Sequence, residues 1–179
     1  GERPAYTTFT GSRVLDASEL VEDSTTVHFQ FQDACGYTSS IESLSLVRDT
    51  TAPVVQAISL NQGVLYTSET SVALELIAAD DYSASIEMRT NLCSVTTDAA
   101  MMGVSPDEYA CEQAMDSQPW VPLTTTQTLT LPGEGGFGVQ VQLRDQGDNR
   151  TALLGAMVVV DSLAPSDLSM VVAGGLGLV

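Results

Sequence analysis

Apolar and polar residues alternate with a period of two along most of the chain, and no window sustains the 3.6-residue period of an amphipathic helix. In Ser71 to Ala79 the apolar set Val72, Leu74 and Leu76 falls on one face, the pattern of a strand that buries one side. The same reading predicts strands over Val54 to Leu60, closed by the turn Asn61-Gln-Gly63, and over Ser85 to Thr90. It continues with Pro119 to Leu123, Thr126 to Leu131, Gly138 to Asp145 and Thr151 to Asp161. Leu129 and Leu131 face inward on one of these, and Val139, Val141 and Leu143 on another. Seven short strands separated by turn signals make the expected fold class all-β, with the strands packed as a sandwich.

The chain also resembles itself. Val27-His-Phe-Gln-Phe-Gln-Asp33 is echoed by Val139-Gln-Val-Gln-Leu-Arg-Asp145, a shift of 112 positions. At the same shift Asp49-Thr-Thr-Ala-Pro53 lands on Asp161-Ser-Leu-Ala-Pro165, and Ile58 to Gly63 lands on Met170 to Gly175. A constant offset over so long a stretch marks stacked modules. It divides the chain into residues 1–49, the C-terminal half of one repeat, a complete repeat over 50–161, and residues 162–179, the first strand of another.

Seven strands in a repeat of this length is the count of an immunoglobulin-like sandwich. Asp49-Thr-Thr-Ala-Pro53 at the opening, Met88-Arg89 in the third strand, Trp120, and Arg144-Asp-Gln-Gly-Asp-Asn149 before the last strand then become specific. Together they resemble the bacterial immunoglobulin-like tandem repeats of large surface and adhesin-type proteins. The resemblance implies one complete seven-stranded immunoglobulin-like sandwich and two partial ones. It also implies a structural or adhesive module of a long extracellular or cell-surface protein, with no reaction, acting as a rod spacer. The expected partners are neighbouring repeats of the same chain or identical subunits, and a surface protein or glycan. An alternative is a filament subunit that assembles head to tail by adding its last strand to the next subunit. The segment between Cys93 and Cys111 departs from the family pattern.

Charge narrows the partners. Twenty-three acidic residues stand against six arginines and no lysine, a net charge of -17, so repulsion makes nucleic acid and anionic membrane poor partners. Divalent cations or a basic surface fit this balance. No apolar run approaches the ~20 residues of a membrane helix, so no membrane insertion is expected.

Strand directions in a sandwich bring alternate loops to one end. Asp80 and Asp81 follow the second strand, Asp145, Asp148 and Asn149 precede the last, and Asp49 lies in the linker. All six converge where repeats meet, which suggests a junction calcium site, since calcium takes six to eight oxygens from carboxylates, amides and carbonyls. The same residues are also ordinary turn formers.

Cys93 and Cys111 are expected to pair and to staple the segment between them, which contains Met101, Met102 and Tyr109 as candidate contacts to a partner. Cys35 is left over, and the repeat matches it to Gly147. Enzymatic readings fail on inventory: His28 is the only histidine and alternates onto the face opposite the core, so no triad or metal–histidine cluster can be assembled. Gly133-Glu-Gly-Gly-Phe-Gly138 lacks the Lys-Ser/Thr of a phosphate loop and reads as a turn.

Overall fold

In the computed structural model, residues 5–12, 14–16, 20, 23–96, 105, 108–111 and 113–166 are described. The fold is all-β. Eleven strands are present among these residues: β1 (Asp23–Phe29), β2 (Glu42–Arg48), β3 (Val54–Leu60), β4 (Tyr66–Thr67), β5 (Ser71–Ala79), β6 (Glu87–Val95), β7 (Ala110–Cys111), β8 (Val121–Pro122), β9 (Thr126–Thr130), β10 (Gly135–Arg144) and β11 (Leu154–Val160). One sheet has the order β3-β5-β9 and another β4-β11-β10-β6-β7, with β8 also on β6. All pairs are antiparallel except β4 with β11. Leu60, Val72, Leu74 and Leu76 of the first sheet pack against Met88, Val139, Val141, Leu143, Val158 and Val160 of the second. The inward residues read from the alternation on β5 and β10 are therefore the core, where burial of each aliphatic side chain contributes about 1.5–3 kcal/mol.

Several strand boundaries differ from expectation, and two of the differences have a clear physical reason. The third strand, expected over Ser85 to Thr90, runs on to Val95, because the far end of the Cys-bracketed segment returns as β7 and pairs with it at Cys93 and Ser94. Strand β10 starts at Gly135 rather than Gly138. Gly136 there is pressed against the backbone of Val95, where a Cβ would collide with the carbonyl oxygen, so this glycine serves close strand approach and not a turn.

The remaining two strands form a separate hairpin, β1-β2, and its geometry repeats that of β10-β11 residue for residue. Asp23 opposes Arg48 and Phe29 opposes Glu42 in the first hairpin; Gly135 opposes Val160 and Val141 opposes Leu154 in the second. Every one of these positions is displaced by 112. The turns match as well. The bridge Gln32 to Thr38 corresponds to Arg144 to Arg150, the amide of Tyr37 bonds Asp33 Oδ1 as that of Asn149 bonds Asp145 Oδ1, and positive φ at Gly36 is matched at Asp148. Gln30 Nε2 donates to the Ser39 carbonyl as Gln142 Nε2 does to Thr151. What differs is cover: Leu143 is fully buried, whereas its counterpart Phe31 is 47% exposed. Residues 162–166 contain no strand, and the strand expected in Met170 to Gly175 lies outside the described residues.

Candidate functional site

Three features could carry function, and the first is acidic. Asp49 follows β2, Asp80 follows β5 and Asp145 follows β10. The antiparallel pairing of β3 with β5 sets Val54 opposite Ala79, so the linker and the end of β5 meet at one end of the sandwich. Each of Asp49, Asp80 and Asp145 offers an oxygen within 4.8 Å of the others. Asn149 ties the group together: its Nδ2 donates to Asp145 Oδ2 at 2.7 Å and to the Asp49 carbonyl at 3.1 Å. Asp80 Oδ1 accepts the amides of Tyr82 and Ser83, a turn that fixes its carboxylate. Of the six residues read from the sequence, four thus come together.

Asp148 and Asp81 do not join them. Asp148 is turned to Arg150 at 3.0 Å and Arg144 at 3.2 Å, and these hydrogen bonds, chiefly that from Arg150, hold its carboxyl below the usual range. Asp81 is exposed at the turn after β5 and stands outside the cluster of carboxylates among the described residues.

The second feature is the stapled segment. Cys93 and Cys111 are bonded and lie directly opposite one another on β6 and β7. Met101 and Met102 lie outside the described residues. Tyr109, expected as an exposed contact, is instead 8% exposed, because its ring covers Gly138 on the outer face of β10. Burial raises its phenol above the ordinary tyrosine range. With Ile58, Leu60, Gly155 and Met157 it lines a shallow open cleft of about 400 Å³. The segment therefore has a place on the sheet: its returning limb covers a face that the alternation assigns to solvent.

The third feature was not legible as a cluster. Arg89, Arg144 and Arg150 stack around Trp120, with guanidinium carbons 4.6, 4.5 and 5.6 Å from the ring. Half of the arginines gather at the one tryptophan. Arg89 is buried, and it is satisfied by Gln142 Oε1 and by Asp116 at 2.5 Å; Arg144 pairs with Glu87. The group is saturated by its own acids, so it braces the outer face rather than presenting charge. Trp120 sits beside the core and not in it. His28 is exposed and bonded to Ser43 Oγ.

No protein-family model matches the chain, and no curated protein matches it. No helix among the described residues is long and apolar enough to cross a membrane.

Proposed function

We propose that the chain is a stretch of tandem immunoglobulin-like modules from an extracellular or cell-surface bacterial protein, working as a rod spacer with no catalytic role. The observation that carries this reading is the second hairpin written into the first, register for register, at a shift of 112 positions. A duplicated hairpin argues for a duplicated module. The strand order also supports it: a three-stranded sheet facing a larger one, with a short edge strand running parallel to the last strand, suits an immunoglobulin-like sandwich.

Further support comes from the apolar face of the first hairpin. Phe29, Phe31 and Leu44 occupy positions that are covered in the complete sandwich and are exposed here, which suits a hairpin that belongs to another sandwich in the row. The disulfide fits an oxidising compartment. The Cys93 to Cys111 segment is the part proposed to meet a surface protein or glycan.

An antibody raised against this chain tests the reading on intact and lysed source cells. Labelling of intact cells, and a native polypeptide larger than 18.9 kDa, are the expected results. A polypeptide confined to the cytoplasm would overturn it, and filaments built of subunits of this size would favour head-to-tail assembly instead.

A further inference from the structure

We infer that hairpin β1-β2 carries a docking surface for one extended strand, added antiparallel to β1, with an apolar side chain opposite Phe31 and a basic one opposite Gln30. The inference deepens the module reading and rests on it. Among the described residues β1 pairs only with β2. The Phe31 amide bonds Ser39 Oγ, and the Ser39 amide bonds the Phe31 carbonyl, so the odd-numbered residues turn their main chain to β2. By alternation the amides and carbonyls of Thr26, His28 and Gln30 point to the other edge, where no described strand lies.

That edge has a covered counterpart. At the 112-position shift it is the edge of β10 on which β6 lies antiparallel, from Gly136 opposite Val95 to Arg144 opposite Glu87. There Met88 opposes Leu143, and both belong to the core. Arg89 opposes Gln142 and donates to its Oε1 at 2.6 Å, while Gln142 Nε2 is held by the Thr151 carbonyl. The first hairpin keeps the receiving half of this arrangement. Phe31 stands at the place of Leu143, and Gln30, its Nε2 held by the Ser39 carbonyl at 2.7 Å, at the place of Gln142. Gln30 Oε1 accepts the Tyr6 hydroxyl at 2.9 Å, and an amide oxygen takes two donors, so it can hold a guanidinium as well.

Two properties fix the chemistry of the occupant. Phe31 meets Phe9 and Phe29 edge to face, with centroids 5.3 and 6.0 Å apart, yet all three rings remain exposed, as does Leu44. An apolar patch beside an unpaired edge takes up a strand that brings apolar side chains on the same face. Asp33 and Glu42 are exposed at the turn end of the hairpin, and the chain carries a net charge of -17, so a basic side chain is attracted where a carboxylate is repelled. The occupant thus has the pattern of β6, the third strand of an immunoglobulin-like module. A second copy of β1 does not fit, because that strand carries no arginine.

The test adds a fluorescent peptide with the sequence Ser85 to Val95, carrying Cys93→Ser, to the full chain, and follows its anisotropy. Saturable one-to-one binding is expected, with slowed hydrogen exchange at the Thr26, His28 and Gln30 amides. Phe31→Ser and Gln30→Ala in the chain, and Met88→Ser in the peptide, should each weaken binding roughly tenfold or more. Arg89→Glu in the peptide should abolish it. Tyr37→Ala, on the exposed turn, should leave it unchanged, and thermal melts check that every chain variant is folded. No saturable binding, or binding indifferent to the Phe31 and Gln30 variants, would overturn the inference. So would protection that appears on β10 instead of β1, since the peptide would then be replacing the chain's own β6. A dimer in sedimentation that Phe31→Ser dissolves would also overturn it, by making a second copy the occupant. Peptide binding and cellular localisation are independent measurements, so this surface and the module reading fail separately.

Discussion

Tyr109 lies so close to Gly138 that a Cβ on the glycine would stand 2.5 Å from the ring carbon Cε2 and 2.9 Å from Cγ2 of Val95. The missing side chain of Gly138 is therefore the seat of the ring, and the ring is what lays the stapled segment on the sheet. Gly138→Ala must displace Tyr109 or bend β10, and the expected cost is about 1–3 kcal/mol. Urea unfolding checks it: an unchanged midpoint would mean that the ring is not held there.

The same burial raises the pKa of Tyr109 above the ordinary tyrosine value. Its folded pKa is raised, so its neutral form is the one the fold favours. The resulting stability is present in full below the ordinary tyrosine pKa of ~10, and it is lost as the pH climbs through the folded value. Absorbance titration of phenolate should show a late component that is absent in Tyr109→Phe. The wild-type midpoint should fall more steeply above pH ~10 than that of the variant.

Reducing the bond between Cys93 and Cys111 releases a loop with a sequence separation of 18. On chain-entropy grounds the loss is about 3 kcal/mol. Thermal melts with and without reductant measure it, and peptide mapping under non-reducing conditions should recover the linked pair with Cys35 outside it.

Arg89 is fixed between Gln142, Asp116 and the face of Trp120. Trp120→Leu removes three cation–π contacts, each worth about 0.5–2 kcal/mol according to how dry it is. Arg89→Met should cost less than Arg89→Ala, since the aliphatic stem packs even without its charge. Denaturant midpoints of the three variants give the order; equal costs for both arginine substitutions would contradict the packing argument.

Asn149 donates to Asp49, 100 positions away in the chain, and to Asp145. Asn149→Ala leaves the buried carboxylate of Asp145 short of a donor, at an expected cost of about 1–3 kcal/mol. At the matching position of the first hairpin, Tyr37 is exposed, and Tyr37→Ala should change stability by no more than about 0.5 kcal/mol. Parallel melts of the two variants test whether the turns, alike in backbone, differ in burden.

The period-two alternation of Val72, Leu74 and Leu76, and of Val139, Val141 and Leu143, was sufficient to place the core and the all-β class, because a strand sorts its side chains by parity alone. The 112-position echo likewise located the first hairpin, since identical local patterns pair in identical register. Local sequence was misleading where two distant segments touch. Gly136 and Gly138 read as turn glycines, yet they allow Val95 and Tyr109 to press on β10. Gln140 and Asn91 are polar, yet they are buried under the limb that returns from Cys111.

The acidic site divides in the same way. The sequence sent Asp49, Asp80, Asp81, Asp145, Asp148 and Asn149 alike to one end of the sandwich, because strand direction sends alternate loops there. It could not separate Asp148 from Asp145, three residues apart on one turn. Only the tertiary structure did so, by turning Asp148 outward to two arginines and Asp145 inward to Asn149. The reason is that side-chain direction in a tight turn follows from each residue's φ and ψ and from the charges brought near it by other strands, and neither is written in the spacing of the residues.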